Sequence, residues 1–437
     1  MSPFAALGVF LTVFLGSAIL FRVPVGFAIG LGTAITLLAN DLPIMGLAQV
    51  SFSALDSFPL LAVPFFIFGG MLMQYSGITR SLINLVVAFI GRFRGHLGAA
   101  TVLGSMAFSL LTGSAIATIT AVGNAMIPEM VSKGYSKSYA SAITAASSFL
   151  GILIPPSVPG IIFALSAGVS VSEIWLSTLG VGLIIAALYI VVNYFIRVKI
   201  EPKTTESFVF SVYAKNIAFN FKDSIAALMM PFIIFGGIYG GFVTPTEAGA
   251  VAALYGLIYL VIKIVFKIGH IEKSLYEIAV ISGISTATIS ILIVFANAAG
   301  RAIALIGVSD AVASFVIANF QSPIMFLLVV NIVFLILGMF IDINAAIMIL
   351  TPLLMPAVHS IGIDPIHFGA VVLVNLCLGF ITPPLSLAVF VACKISGAHY
   401  GDVMVKVVPF FLAGLVGLII VTYVPSVALF FPNLLRG

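Results

Sequence analysis

The chain has 437 residues, of which 62% are hydrophobic and only 7% are charged, and its mean hydropathy is +1.29. Soluble globular proteins carry about 25% charged residues, so this composition excludes a soluble protein and predicts an all-α polytopic membrane protein. The formal net charge of +4 is spread over several loops. It indicates contact with a lipid bilayer and gives no sign of a nucleic-acid partner.

The chain begins with three apolar runs that match the ~20 residues of a membrane crossing. They lie at residues 4–21, 24–40 and 58–75, and a loop at 41–57 joins the second to the third. No basic region precedes the first run, so it is predicted to be a retained helix and not a cleaved signal. Residues 78–90 predict an arm that lies near the membrane surface.

A re-entrant hairpin and a broken helix are predicted next. Residues 97–130 are too long for one crossing and too short for two crossings with a loop. Their centre, at residues 112–114, is a small polar turn that suits a hairpin tip. The following run at 138–167 contains the Pro155-Pro156 pair at its middle. Prolines remove N–H donors and clash with the preceding turn, so this helix is predicted to be discontinuous.

The second half repeats this order after a basic linker. A crossing at 174–196 leads into residues 197–223, which are predicted to be a cytoplasmic linker between one inverted repeat at 1–196 and another at 224–437. The second repeat is predicted to hold three crossings, an arm, a hairpin, a broken helix and a last crossing, at residues 224–243, 247–266, 276–298, 301–320, 323–358, 364–395 and 407–431.

A shift of 228 residues relates the two halves: it maps Gly151 to Gly379, the Pro155-Pro156 pair to Pro383-Pro384, and the first hairpin tip to the second. Both feet of the first hairpin are basic, with arginines before it and lysines after it, and those of the second carry neither Lys nor Arg. Positive residues favour the cytoplasmic side, so the two hairpins are predicted to enter from opposite sides. This is an inverted repeat with two re-entrant hairpins and two discontinuous helices, the pattern of an ion-transporter-like elevator fold.

The positive charges test this topology. Of the 18 Lys and Arg residues, only Arg301 and Arg436 fall on the outer side of the predicted arrangement. The positive-inside rule favours such an asymmetry. Both termini are then predicted to be periplasmic.

Each broken helix exposes N–H groups at one half-helix and carbonyl groups at the other, which suit a carboxylate and a hard cation respectively. At least two Na⁺ sites are predicted, each between a hairpin tip and a break. Their predicted ligands are Thr112, Gly113, Ser114, Ile154 and Pro155 for the first site, and Asp342, Asn344, Thr382 and Pro383 for the second. The predicted substrate-binding residues are Ser114, Pro156, Ser157, Pro384 and Ser386.

Structural explanations remain open for several of these residues. The proline pairs would also be expected if these helices were only kinked in order to pack against their neighbours. Asp342 would also suit the N-cap of the half-helix that follows it. Thr244 and Glu247 have the spacing of a capping box. Trp175 begins a span and is predicted to be an interfacial anchor. Cys377 and Cys393 are predicted to be small core residues.

The sequence lacks two common motifs of nucleotide binding and metal-dependent hydrolysis. It contains neither a G-x-x-x-x-G-K-[ST] phosphate loop nor an H-E-x-x-H motif, and predicted midplane acids and bases are nearly absent. We therefore expect neither an ATPase nor an intramembrane enzyme.

The sequence resembles the large membrane subunit of the tripartite ATP-independent periplasmic (TRAP) transporters over essentially its whole length. The resemblance is carried by five segments, at residues 55–65, 112–115, 154–157, 244–249 and 362–369. Two departures are Thr112, where the family often has Ser, and Ser386, where it often has Gly.

The resemblance implies a Na⁺-driven importer of an organic acid that moves its substrate by an elevator mechanism. It implies a bacterial inner-membrane location, a small four-helix membrane subunit, expected here as a separate chain, and a soluble periplasmic substrate-binding protein. Residues 55–65 look most like the sialic-acid type, with C4-dicarboxylates as the alternative substrates. The alternative functions are a stand-alone Na⁺/carboxylate symporter without a binding protein, and a channel or structural membrane protein.

Overall fold

A computed structural model describes residues 1–90, 95–197, 210–268, 271–320, 322–382 and 386–436. In these ranges the chain forms helices and turns and no β-strand, which confirms the predicted all-α class. Of the described helices, nine are long and apolar enough to cross a membrane, or up to ten if one bent pair counts as a single span.

The first half comprises eleven α-helices and one short 3₁₀-helix. Most of the hairpin and broken-helix segments start at a serine whose side chain accepts a hydrogen bond from the first turn, as at Ser114, Ser136 and Ser157. The helices are α1 Pro3–Leu20, α2 Val25–Ala39, α3 Met45–Leu55, the 3₁₀-helix Phe58–Leu61, α4 Ala62–Tyr75, α5 Thr79–Ile90, α6 His96–Thr112, α7 Ala115–Ser132, α8 Lys137–Ser148, α9 Leu150–Leu153, α10 Val158–Ala167 and α11 Val171–Arg197.

The second half has ten α-helices. The capping box predicted at Thr244 and Glu247 is present, and a second one joins Ser274 to Glu277. The helices are α12 Phe210–Tyr239, α13 Pro245–Val265, α14 Leu275–Leu305, α15 Val308–Asn319, α16 Pro323–Gly338, α17 Ile343–Ile361, α18 Pro365–Ile381, α19 Leu387–Ser396, α20 Tyr400–Tyr423 and α21 Pro425–Arg436.

Two segments that the sequence predicts as loop or linker contain helix. The predicted loop at 41–57 holds α3, which starts without a side-chain cap and therefore carries no N-terminal signal. The predicted linker at 197–223 is helical from Phe210, and residues 198–209 lie outside the described residues. The middle of α12 is held against α5, because Ser224 donates a hydrogen bond to the Ser81 carbonyl at 2.8 Å.

Two further boundaries differ from the prediction because of single residues. The arm predicted from residue 301 begins only at α15, after Gly307 with φ +76°, so Arg301 belongs to α14. The crossing predicted at 407–431 is two helices, α20 and α21. Val424 adopts φ −123° and ψ 78°, since a residue before proline avoids the helical region.

The helices form two packed groups. In the first group, α4 packs against α13, α14 packs against α2, and α12 packs against α5. The second group contains the hairpins, the broken helices, α11 and α20. Two unbroken helices therefore belong to the second group, since α20 packs on α8 and α11 packs on α18. Rings of α11 and α20 meet there, with Tyr189 and Phe410 at 5.5 Å between centroids.

In the second group, the hairpin of each half of the chain packs on the broken helix of the other half. The second arm of the first hairpin, α7, packs on the end of the second broken helix, α19. Reciprocally, the second arm of the second hairpin, α17, packs on the end of the first broken helix, α10. An internal repeat related by a twofold axis would give each of these contacts an equivalent in the other half, as is found here.

Asn193 ties three elements of this group together. Its side chain is fully buried, donates to the Gly95 carbonyl at 2.9 Å and accepts from the Tyr139 hydroxyl at 2.8 Å. Replacing Asn193 by leucine removes both bonds at similar volume, and we expect a loss of about 1–3 kcal/mol in the free energy of unfolding. The check is thermal unfolding in detergent followed by circular dichroism. The control is Asn124→Leu, at an exposed position of α7, and equal melting of both variants would contradict the prediction.

Candidate functional site

Both hairpin tips and both helix breaks meet at one cavity of about 490 Å³. This volume lies in the range of about 300–1,000 Å³ that is usual for small-molecule sites. The tips contribute residues 112–117 and 338–344, and the breaks contribute Ile152, Val158, Pro159, Gly379, Phe380 and Leu387.

The first tip is a two-residue turn between α6 and α7. Gly113 adopts φ +60° and ψ 24°, and its N–H donates to the Ser109 carbonyl at 3.1 Å. A Cβ at Gly113 would collide with the Pro156 carbonyl oxygen. Ser114 caps α7 by accepting from the Ala117 N–H at 3.4 Å. The tip is therefore in direct contact with the first break, and only glycine fits the contact.

The second tip lies between α16 and α17. Asp342 caps α17, and its Oδ1 accepts from the N–H groups of Asn344 at 2.9 Å and Ala345 at 3.3 Å. The capping role considered from the sequence is therefore present, and the carboxylate also lines the cavity. Gly338 packs on Gly379 so closely that a Cβ at Gly379 would lie 2.6 Å from the Gly338 backbone.

The first break separates α9 from α10, and the two segments of this helix are bent by 44°. Ile154 is extended, with φ −79° and ψ 126°. Ser157 is buried and caps α10 by accepting from the Gly160 N–H at 3.1 Å. Trp175 donates from Nε1 to the Ser157 carbonyl at 3.2 Å and is fully buried. The prediction of Trp175 as an interfacial anchor is therefore wrong, because its indole N–H supports the break.

The second break follows α18. Thr382 is extended, with φ −82° and ψ 136°, and donates from its hydroxyl to the Leu378 carbonyl at 2.6 Å. Ser386 caps α19 by accepting from the Val389 N–H at 3.2 Å. The predicted Na⁺ ligand Pro383 and the predicted substrate-binding residue Pro384 lie outside the described residues, as does Leu385.

Eight helix ends point at this cavity. It is lined by the first residues of α7, α10, α17 and α19, and by residues at or near the last turns of α6, α9, α16 and α18. Helix N-termini carry partial positive charge and free N–H groups, and C-termini carry partial negative charge and free carbonyls. The cavity therefore offers separate places for an anion and for cations.

Two side-chain oxygens at the tips are buried without a hydrogen-bond partner in the described part of the chain. They are Thr112 Oγ1 on the first tip and Asn344 Oδ1 on the second. A buried polar atom without a partner is costly. Both atoms belong to the predicted Na⁺ ligands, and a hydroxyl and an amide oxygen are ligands that a hard cation accepts.

Not every predicted site residue lines the cavity. Of the described ones, Thr112, Gly113, Ser114, Asp342 and Asn344 do. The backbone of Ile154, Pro155 and Pro156 and the side chains of Ser157, Thr382 and Ser386 are buried beside it. Sequence reasoning missed the opposite wall, which the first helix group supplies from α4 and α14, with Ile67, Met71, Gln74, Ser285 and Ile289. Gln74 and Ser285 are polar residues in apolar spans, and that is a weak signal.

Known proteins are similar to this chain in sequence and in fold. The family described as "Tripartite ATP-independent periplasmic transporter, DctM component" matches residues 11–427. Among solved structures, the Alcanivorax borkumensis YdaH transporter, reported to have an unusual topology, aligns with a TM-score of 0.59 and 14% identity, covering 87% of this chain and 88% of that one. At this identity the likeness concerns the fold alone.

Three curated relatives are similar over most of this chain. The C4-dicarboxylate TRAP transporter large permease protein DctM of Pseudomonas aeruginosa is 37% identical, covering 93% of this chain and 94% of that protein. The sialic acid TRAP transporter large permease protein SiaM of Vibrio cholerae is 32% identical, with coverage of 95% and 96%.

The isethionate TRAP transporter permease protein DctMQ of Oleidesulfovibrio alaskensis is 35% identical over 94% of this chain, and the chain spans 64% of its length. The family match covers all of the residues that line the cavity. The chain belongs to the DctM component family of the tripartite ATP-independent periplasmic transporters.

Proposed function

We propose that this chain is the transport subunit of a Na⁺-coupled importer that takes up a small organic acid from a periplasmic binding protein. The observation that carries the proposal is the convergence of two hairpin tips and two helix breaks on one cavity. The relatives are permeases, which is a non-enzymatic role.

The organic acid would bind where the four helix N-termini meet. The N–H groups of the first turns of α7, α10, α17 and α19 favour a carboxylate or a sulfonate. The relatives' names give C4-dicarboxylate, sialic acid and isethionate, at identities of 37%, 32% and 35%. These similar values do not favour the sialic-acid type, so we propose the class of small organic acids and keep sialic acid as one candidate.

Sodium would bind at the two tips. The first site would use Thr112 Oγ1 with the freed carbonyls at the end of α9, and the second would use Asn344 Oδ1 with those at the end of α18. Asp342 adds the charge that a cation site in a membrane favours. Inward movement of each Na⁺ supplies about 2.3 kcal/mol per 100 mV before its concentration gradient is counted.

The two helix groups suggest how the substrate crosses. The cavity lies between them, with α4 and α14 on one side and the tips on the other. We propose that the group of hairpins, broken helices, α11 and α20 moves as one body along α4 and α14, as in an elevator. The first group would be the scaffold that meets a small four-helix membrane subunit in a bacterial inner membrane, with both termini of this chain in the periplasm.

The test is reconstitution of the chain with the small subunit and the binding protein encoded beside it. An inward Na⁺ gradient is imposed, and uptake of succinate, isethionate and N-acetylneuraminate is measured. We expect accumulation of one of these acids only with all components and the gradient. Accumulation without the binding protein would support the stand-alone symporter, and uptake that ignores Na⁺ would contradict the coupling.

Asp342 allows its charge to be separated from its capping role. Asp342→Asn retains an oxygen that can cap α17 at the Asn344 and Ala345 N–H groups, but it removes the negative charge. We expect the half-saturating Na⁺ concentration for uptake to rise about fivefold, which is ~1 kcal/mol. The control is Asp364→Asn, because Asp364 caps α18 in the same way, away from the cavity. An unchanged Na⁺ titration in Asp342→Asn would remove Asp342 from the site.

A further inference from the structure

A second cavity of about 820 Å³ lies farther along α14. It also separates the two helix groups, since α3 and α14 form one side and α10 and α17 form the other. Its polar lining residues are Gln49, Ser53, Ser57, Ser166, Asn297 and Arg301. We call it the Arg301 cavity.

The positive-inside rule assigns the Arg301 cavity to the outer half of the protein. Near the start of α14, Lys263 donates to the Ser76 carbonyl at 2.6 Å, and Lys273 lies over the Tyr75 ring at 5.3 Å. Lysines concentrate on the cytoplasmic side, so this end of α14 is the inner one. Arg301 is 16 residues beyond Ser285 of the first cavity, which is about 24 Å along the helix.

Arg301 carries a positive charge that has no ion-pair partner in the part of the chain that the structure describes. No carboxylate lines its cavity, and no acidic group of the described residues lies within ion-pair distance of it. The other predicted outer cation differs, because Arg436 contacts Glu173 at 2.6 Å and Asp364 at 3.7 Å. The hydrogen bonds that Arg436 donates to the Glu173 carboxylate also raise the pKa of Arg436.

The two cavities therefore have opposite charges. Asp342 is the charged side chain of the first cavity, and Arg301 is that of the second. A guanidinium binds a carboxylate or a sulfonate through two parallel hydrogen bonds, and it stays charged at any physiological pH. The surrounding amides and hydroxyls can accept or donate to the rest of a polar acid.

We propose that the Arg301 cavity is a receiving site, in which Arg301 binds the acidic group of the substrate before it reaches the hairpin tips. This inference rests on the proposed function, and it adds an outer binding step that is separate from the Na⁺-coupled site. The anion that is proposed to bind Arg301 is the transported acid. A phospholipid phosphate would offer the same chemistry, and the experiment separates the two.

The first test measures uptake by the complete reconstituted system at saturating Na⁺ as the loaded binding protein is varied. For Arg301→Gln we expect the half-saturating concentration to rise about fivefold, ~1 kcal/mol, with the maximal rate nearly unchanged. Arg301→Lys should lie between Arg301→Gln and the unmodified protein. The control is Arg80→Gln, which removes an exposed positive charge from α5 and should change nothing.

The second test restores the charge chemically. Arg301→Cys is treated in spheroplasts with one of two impermeant methanethiosulfonates that add either a trimethylammonium or a sulfonate. The cationic reagent should recover the low half-saturating concentration, and the anionic reagent should raise it further. The untreated variant and the treated unmodified protein, which contains Cys377 and Cys393, are the controls.

The outcomes separate the two proposals. If the unmodified protein shows no Na⁺-driven uptake, the proposed function fails. If it transports and Arg301→Gln is indistinguishable from it, only the receiving site fails. The receiving site also fails if Arg301→Gln lowers the maximal rate or the lipid-dependent stability and leaves the half-saturating concentration unchanged. Arg301 would then be needed for the movement of the helices or for binding a lipid phosphate.

Discussion

Replacing Gly113 by alanine is expected to reduce uptake about 100-fold while the protein still folds. Alanine at φ +60° costs about 1 kcal/mol, and its Cβ would collide with the Pro156 carbonyl oxygen. The tip would then move off the break and separate Thr112 from the carbonyl groups at the end of α9 that are proposed to share a Na⁺ with it. A misplacement of ~1 Å in a binding constellation can cost about 100-fold in rate.

Gly168→Ala is the matched control for this variant. Gly168 ends α10 at φ +68°, and a Cβ there would meet nothing within 4 Å. Both variants pay the same conformational cost, so their difference reports the contact of tip and break alone. Uptake and thermal unfolding are measured on both. If Gly113→Ala transports as well as Gly168→Ala, the contact has no role in transport.

The second large effect is expected from Thr112→Val. It removes the buried hydroxyl that has no hydrogen-bond partner in the described residues and leaves the shape nearly unchanged. If that hydroxyl is a Na⁺ ligand, its loss costs about 2 kcal/mol of binding, and the half-saturating Na⁺ concentration for uptake rises about thirtyfold. Without Na⁺, the variant should be as stable as the unmodified protein or more so, since a buried polar atom has been removed.

Thermal unfolding with and without Na⁺ distinguishes a ligand from a structural hydroxyl. Saturating Na⁺ at about 100 times its dissociation constant stabilises a binding protein by ~2.7 kcal/mol, and Thr112→Val should lose most of this gain. The control is Thr144→Val, because the buried Thr144 hydroxyl is already bonded to the Ala140 carbonyl at 2.7 Å. A full Na⁺ response in Thr112→Val would exclude Thr112 from the site.

Features that break a regular pattern were predictable from the sequence. The proline pair at 155–156 interrupts an apolar run, and the polar tips at 112–114 and 342–344 interrupt two others. Such interruptions are costly in a membrane, so they identified the tips and the first break correctly. The second proline pair lies outside the described residues, but α18 ends at Ile381, two residues before Pro383.

Features that depend on distant packing were not predictable. The helix α3 is short and uncapped, and its position against α14 follows from tertiary contacts. The wall formed by Met71, Gln74 and Ser285 carries only the weak signal of two polar residues in apolar spans, because many residues of such a span are equally able to face a cavity. Trp175 was misread for the same reason, since its position at the start of a span concealed its bond to Ser157.

The packing of α7 on α19 and of α17 on α10 joins early and late parts of the chain, and this also affects biogenesis. Helix α7 leaves the ribosome when more than half of the chain, including its partner α19, is still unmade. The first hairpin must therefore wait in the bilayer with one face uncovered until synthesis is almost complete. In truncated or stalled chains this face of the first hairpin stays uncovered. Quality-control proteases of the membrane should recognise such chains by the uncovered face.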